Sequence, residues 1–166
     1  MKIQIRKNVF ETNSSTQHTL TICNRNTDYS DYVGKTIILG KDVPKDLFWS
    51  DKNKCNPLYK FQMLWVACIG YNTDIRTFIH NMKLIKSTFE KIGINIELNY
   101  DESVYDEWEY YGEDIDVIKS AFNSEEDLIN FVFNQDSWYD SYEDNYGECP
   151  YENDIKEGNK TYWDRN

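Results

Sequence analysis

The chain has 166 residues, of which 40% are hydrophobic, and a formal net charge of −11. This length suits one domain with a buried core. The longest apolar stretch, residues 63–69, is too short to cross a bilayer, and the charged residues at positions 2, 6 and 7 interrupt any signal-peptide core. These features predict a cytoplasmic protein that has no membrane contact.

The charge is unevenly distributed along the chain. Residues 1–60 have a net charge of +4, residues 61–100 of +1, and residues 101–166 of −16, the last from 20 acidic and 4 basic side chains. An acidic region of this strength repels phosphate backbones and attracts basic clefts. We therefore expect no direct nucleic-acid binding, and we expect a basic, nucleic-acid-binding protein as the partner.

The N-terminal part, residues 1–56, contains three predicted strands. Polar and apolar residues alternate over residues 2–6 and 18–23, which is typical of strands. Residues 11–16 between them favour a turn, because Ser, Thr and Asn side chains bond to nearby backbone. The pattern predicts a hairpin. Residues 35–39 form a third predicted strand, which Gly40 ends.

Residues 57–92 are predicted to form a helical hairpin. Pro57 suits a first helical turn, Gly70 ends the first helix, and Thr73 and Asp74 open the second, which Lys91 and Gly93 terminate. Apolar residues recur at steps of three and four, so they predict the core: Leu58, Phe61, Leu64, Trp65, Ile75, Phe78, Ile79, Met82, Ile85 and Phe89.

Residues 93–145 are predicted to add a strand at 94–100, a short helix over 114–122 and a second helix over 125–134, which Ser124 caps. Residues 101–113 form an acidic, aromatic loop or edge hairpin. Residues 146–166 are predicted to be an irregular acidic tail that frays beyond position 155. The fold class is α+β, with a small antiparallel sheet, built from the N-terminal strands and residues 94–100, packed on the helical hairpin.

The sharpest cluster of reactive side chains is the turn that contains Ser14, Ser15, Thr16 and His18. An imidazole three residues from a hydroxyl can act as its base, with Ser15 as nucleophile and His18 as base. No G-x-S-x-G motif is present, and Glu11 is the only nearby carboxylate. A hydroxyl-rich structural turn explains the same residues. A Ser/His-dependent hydrolase or transferase is therefore the alternative hypothesis for function.

The other polar residues favour neither a metal site nor a cofactor. His80 has basic neighbours on its helix, which indicates a surface position, and Cys68 lies on an apolar helix face. The acidic residues after Asp136 fail the EF-hand pattern, because Gly147 is the eighth position from Asp140 and the sixth must be glycine. No phosphate-binding or dinucleotide motif is present. We predict no metal and no cofactor.

The acidic C-terminal region also contains 14 aromatic residues. Disordered acidic tails usually lack aromatics, so the composition indicates a region that packs or binds. Carboxylates at short intervals imitate the charge density of a duplex, about one per 1.7 Å, and Tyr and Trp provide anchors for binding. The predicted partner-binding residues are Asp106, Glu107, Trp108, Glu109, Tyr110, Tyr111, Glu113 and Asp114, with Asp140, Tyr142, Glu143 and Asp144 behind them. An inert acidic surface is the competing interpretation.

Two stretches carry a resemblance to a known family. Residues 9–20, VFETNSSTQHTL, resemble the V-F-E-T-N-S-S-S-x-H-S-L opening of uncharacterised small proteins from low-GC Gram-positive bacteria and their phages. Phe131, Phe133, Asn134 and Ser137 are similar to that family's later F-x-F-N-x-x-S element. Thr16 and Thr19 replace two serines of the pattern.

The resemblance implies a phage or mobile-element setting in a bacterial host cell, where small acidic proteins often block host defence. Together with the charge, it favours an acidic inhibitor of a nucleic-acid-binding enzyme, such as an anti-CRISPR protein that occupies the basic cleft of a CRISPR effector.

Overall fold

A computed structural model describes residues 16–44, 47, 56–70, 73–99, 117–143 and 160–165. The described strands and helices, in chain order, are β1 (Thr16–Ile22), β2 (Thr36–Leu39), α1 (Pro57–Ile69), α2 (Ile75–Lys91), β3 (Asn95–Leu98), α3 (Glu125–Phe133), β4 (Trp138–Glu143) and β5 (Lys160–Arg165). Short 3-10 helices lie at Ser30–Tyr32 and Lys119–Asn123. The α+β class is confirmed.

Helices α1 and α2 form the predicted hairpin. The Asn56 side chain accepts a hydrogen bond from Leu58 N at 2.9 Å and so caps α1. Asp74 caps α2 by accepting from Arg76 N at 2.9 Å and Thr77 N at 3.2 Å. These contacts satisfy amide groups that the first helical turn leaves without partners.

Two aromatic pairs show that the helices of the hairpin run antiparallel. The Phe61 and Phe89 rings lie 4.7 Å apart between centroids, and those of Trp65 and Phe78 lie 6.3 Å apart. A residue near the start of α1 therefore meets one near the end of α2.

The strands form two separate sheets. In the first, β1 lies between β4 and β5 and is antiparallel to both. In the second, β2 and β3 are parallel, with Ile37 opposite Ile96 and Leu39 opposite Leu98. Gln62 on α1 holds β2 in place, because its side chain donates to Ile38 O at 3.0 Å and accepts from Gly40 N at 2.9 Å.

The prediction of one antiparallel sheet that contains residues 94–100 is therefore wrong. The chain leaves β2, forms both helices of the hairpin, and returns beside β2 from the same end, so β3 is parallel to it. The antiparallel sheet obtains two of its strands from the acidic C-terminal region. The predicted strand at residues 2–6 lies outside the described residues.

The prediction that residues 146–166 are an irregular tail is also wrong for residues 160–165, which form β5 beside β1. This strand contains Thr161, Tyr162 and Trp163, residue types that favour strands, but it lacks the aliphatic residues on which the prediction relied. Helix α3 begins as predicted, because the Ser124 hydroxyl accepts from Asp127 N at 3.0 Å.

Six of the ten predicted core residues are buried: Phe61, Leu64, Trp65, Met82, Ile85 and Phe89. Phe78 packs against the core but is only partly buried. The prediction is wrong for Leu58, Ile75 and Ile79, which are 48%, 68% and 44% exposed.

Unequal element lengths explain the exposed isoleucines. Helix α2 has 17 residues and β3 has four, which correspond to about 25 Å and about 13 Å. Strand β3 follows α2 through a turn at Gly93, so it covers the C-terminal part of the helix. The N-terminal turns, with Ile75 and Ile79, extend beyond it.

In the part of the chain that the structure describes, no helix has the length and apolar character needed to cross a bilayer.

Replacement of a core aromatic should be far more costly than replacement of an exposed aliphatic from the same predicted stripe. We expect Phe61→Ala to lower the free energy of unfolding by about 3–5 kcal/mol, and Ile75→Ala to change it by no more than about 0.5 kcal/mol. Urea unfolding followed by circular dichroism measures both. Equal effects of the two substitutions would contradict the burial described above.

Candidate functional site

A buried polar junction joins the end of β1 to the turn between α3 and β4, and we define it by Cys23, Lys60, Asn134 and Ser137. The Ser137 hydroxyl accepts from Cys23 N at 2.8 Å and donates to Cys23 O at 3.5 Å. Both residues lie close to the pair Thr21–Trp138, where β4 begins to pair with the end of β1. These bonds therefore fix the register in which β4 pairs with β1.

The Asn134 side chain uses its whole amide in this junction. It donates to Arg25 O at 2.5 Å and to the Thr27 hydroxyl at 3.1 Å, and it accepts from Asp136 N at 2.9 Å. The Thr27 hydroxyl in turn donates to the Asn130 side chain at 2.6 Å. The segment after β1 is thereby held against the C-terminal end of α3.

Lys60, on α1, is fully buried beneath the junction. Its ammonium group donates to Asn134 O at 2.9 Å and to Ser137 O at 2.5 Å, and it lies 5.7 Å from the centre of the Phe131 ring. A cation near the carbonyl end of a helix is favourable because unpaired carbonyls gather there. Lys60 thus ties α1 to the turn that begins β4.

Phe133 occupies the centre of an aromatic cluster beside the junction. Its ring lies 5.2 Å from Tyr32, 5.7 Å from Phe61, and 5.9 Å from both Tyr29 and Phe89. The residues that carry the later part of the family resemblance, Phe131, Phe133, Asn134 and Ser137, therefore all make structural contacts.

The register of the antiparallel sheet places three reactive residue types in one row. His18 on β1 is directly opposite Ser141 on β4 and directly opposite Asp164 on β5. The three residues therefore occupy one register position across the three strands. We name Ser141, His18 and Asp164 the cross-strand row.

A serine, a histidine and an aspartate in this order are the residue types of a nucleophile, its general base and the carboxylate that orients the base. Sequence analysis paired His18 with Ser15 and found no suitable carboxylate. Ser15 lies outside the described residues, so that pairing stays a prediction. Sequence reasoning did not pair Ser141 and Asp164 with His18, because no feature of the sequence near His18 indicates which strands lie beside β1.

Most of the predicted partner-binding residues lie outside the described residues: Asp106, Glu107, Trp108, Glu109, Tyr110, Tyr111, Glu113, Asp114 and Asp144. Asp140, Tyr142 and Glu143 are on β4, opposite Thr19, Gln17 and Thr16 of β1 respectively.

The described cysteines are buried, and His80 lies on the surface. Cys68 is fully buried, and burial raises the pKa of its thiol far above the usual range, so the thiolate is negligible at neutral pH. The Cys23 thiol donates to Asp136 O at 3.1 Å. His80 is exposed on α2, as predicted. Within the described ranges, no three His, Cys, Asp or Glu side chains are grouped to hold a metal ion.

Comparison with known proteins adds no relative: no family model, curated protein or solved structure matches the chain.

Removal of the buried ammonium should loosen the junction. Lys60→Met keeps the length of the side chain but leaves Asn134 O and Ser137 O without this donor, at a cost of about 1–3 kcal/mol for each unsatisfied acceptor. We expect a lower free energy of unfolding in urea titration, whereas the exposed Lys41→Met should change it by no more than about 0.5 kcal/mol. A Lys60→Met protein as stable as the parent would show that the junction does not depend on this cation.

Proposed function

We propose that the protein is an acidic inhibitor that occupies the basic cleft of a nucleic-acid-binding enzyme, such as a CRISPR effector of a bacterial host. The observation that carries this proposal is the separation of charge, with −16 in residues 101–166 and +5 in residues 1–100. Carboxylates of the C-terminal region replace phosphates in the cleft, and its aromatic residues provide the anchors.

The pairing of β4 and β5 with β1 supports this proposal. Both strands come from the acidic C-terminal region, yet they are bonded along their length to the centre of the sheet. Asp140 and Glu143 are thereby held on paired backbone, and a charge on a paired strand loses less conformational entropy on binding than one on a flexible acidic chain does.

Charge reversal at positions 106, 107 and 109 of the acidic C-terminal region should slow association with the partner. We expect the triple variant Asp106→Lys, Glu107→Lys and Glu109→Lys to lower the association rate by about tenfold or more, because steering charges act mainly on that rate. The matched control is Asp31→Lys, Glu90→Lys and Glu97→Lys, an equal change of charge at exposed positions within residues 1–100.

Biolayer interferometry against a purified CRISPR effector, with and without its guide and target, measures both rates. Binding should weaken between 50 and 300 mM salt, since exposed charges are screened over roughly 8 Å at physiological ionic strength. The proposal fails if the control triple has the same effect as the acidic triple. It also fails if the effector binds the inhibitor and its nucleic acid together without competition.

A second function, a Ser/His-dependent hydrolase or transferase, is favoured by the cross-strand row. In this hypothesis the Ser141 hydroxyl attacks an acyl carbonyl as its proton passes to His18, and Asp164 stabilises the imidazolium. The proton then passes from His18 to the leaving group, and water or a second acceptor releases the acyl group from Ser141.

A fluorophosphonate reagent, which labels activated serines, distinguishes the two serines that have been paired with His18. If the cross-strand row is catalytic, Ser141→Ala and His18→Ala should abolish labelling, while Ser15→Ala and the exposed Ser87→Ala keep it. If Ser15→Ala loses labelling and Ser141→Ala keeps it, the nucleophile is Ser15 in the turn before β1, and the hypothesis of the cross-strand row is wrong. A parent protein that takes up no label would exclude both.

A further inference from the structure

A groove of about 480 Å³ runs between α2 and β3, far along the chain from the cross-strand row. Its floor is apolar and consists of Phe78, Ile79, Met82, Ile96 and Leu98. Met82 and Ile96 are buried, but Ile79 is 44% exposed and Leu98 is 52% exposed. Large aliphatic side chains that stay exposed side by side are typical of interaction surfaces.

The groove opens along an edge of β3. Ile96 and Glu97 belong to opposite faces of the strand, yet both line the groove. A groove that touches both faces must pass the edge between them. Strand β2 occupies one edge of β3, and no strand among the described residues pairs with the other.

The free edge offers backbone hydrogen-bonding groups. Asn95 N donates to Lys35 O and Asn99 N donates to Leu39 O, both toward β2. Since successive residues alternate in direction along a parallel pair, the N–H and C=O groups of Ile96 and Leu98 point to the opposite edge. Such an edge is a template for an added strand.

The rim of the groove is positively charged although the protein is acidic. Helix α2 carries four basic residues, Arg76, Lys83, Lys86 and Lys91, against one acid, Glu90. Lys83 and Lys86 line the groove on the α2 side and Glu97 lines it on β3, so the lining has a net charge of +1, and all three side chains are exposed. Lys86 lies 3.7 Å from Glu90, while Lys83 forms no ion pair with any described residue. The groove therefore selects a negatively charged occupant by charge complementarity.

We propose that this groove binds an extended segment of a partner protein in which aliphatic and acidic residues share the face toward α2, at every second position. The segment pairs with the free edge of β3 as an added strand. Its aliphatic side chains fill the space between Ile79 and Leu98, and its carboxylates face Lys83 and Lys86. The protein would then have two binding surfaces of opposite charge, of which this one prefers acidic sequences.

The probe for this surface is a fluorescein-labelled nine-residue peptide in which every second residue is Leu or Glu, in turn, and the residues between them are threonine. Fluorescence anisotropy with the full chain should give saturable binding. Replacement of the peptide's acids by lysine should weaken binding by about tenfold or more, and so should Lys83→Glu with Lys86→Glu in the protein. Lys35→Glu with Lys41→Glu, an equal change of charge at exposed positions outside the groove, should leave the affinity unchanged.

Two further variants separate the apolar contact and the strand pairing. Leu98→Glu should abolish binding, whereas Leu58→Glu, at a similarly exposed leucine on α1, should not. Two peptides are N-methylated, one at its odd-numbered amides and the other at its even-numbered amides. Only one of the two sets of amides faces β3, so one peptide should lose binding and the other should keep it. Circular dichroism of each variant checks that the fold is retained.

Several results would overturn the proposal. These are an absence of binding, equal binding of the acidic and the lysine-containing peptides, or binding that the groove variants do not alter. Dimerisation of the chain that Leu98→Glu disrupts, without peptide binding, would make a second copy the occupant and the proposal wrong. The triple reversal at positions 106, 107 and 109 leaves the groove unchanged, so failure here is separable from failure of the proposed inhibition.

Discussion

The attachment of the antiparallel sheet to the helical hairpin depends on the buried Lys60 ammonium, which the carbonyl groups of Asn134 and Ser137 hold. It lies where α1, α3 and the beginning of β4 meet. A buried cation is costly unless hydrogen-bond acceptors surround it, and here the turn after α3 supplies them. The adjacent Cys23–Ser137 exchange fixes the pairing of β1 with β4. The position of Ser141 opposite His18 follows from that register.

The protein combines two electrostatic halves on one core. The helical hairpin presents a net basic helix, α2, and the antiparallel sheet contains the strands of the acidic region. Only one described ion pair of the structure links α2 to the acidic region, between Lys91 and Glu125 at 2.5 Å. Exposed pairs of this kind contribute little to stability.

Local signals in the sequence were sufficient for the helices. Asn56, Asp74 and Ser124 each begin a helix because a side-chain oxygen satisfies nearby amide groups, which requires no knowledge of the remaining fold. The spacing of apolar residues also predicted α2 correctly. However, this spacing does not indicate which other element packs on each turn of the helix. Ile75 and Ile79 are exposed because β3 is too short to reach them, and the length of β3 has no relation to the pattern of α2.

The sheet and the candidate site were less predictable because they depend on pairing between distant segments. Residues 160–165 contain no aliphatic residue, and their strand forms through backbone bonds to β1. Ser141 and Asp164 acquire their relation to His18 from register alone, and register is set by contacts such as Cys23 with Ser137. We paired Ser15 with His18 because a single sequence indicates only which residues are close along the chain, and not which residues become close when the chain folds.

The position of β1 at the centre of its sheet has a consequence for folding during synthesis. Cys23 and Ser137 are 114 positions apart along the chain, so β1 leaves the ribosome long before either neighbouring strand is made. The hairpin and its parallel strand pair require only residues 36–98 and can form first, as contacts of short sequence separation generally do. During that interval β1 has two unpaired edges, which makes it the segment of this protein most exposed to aggregation or to chaperone binding before the last strands arrive.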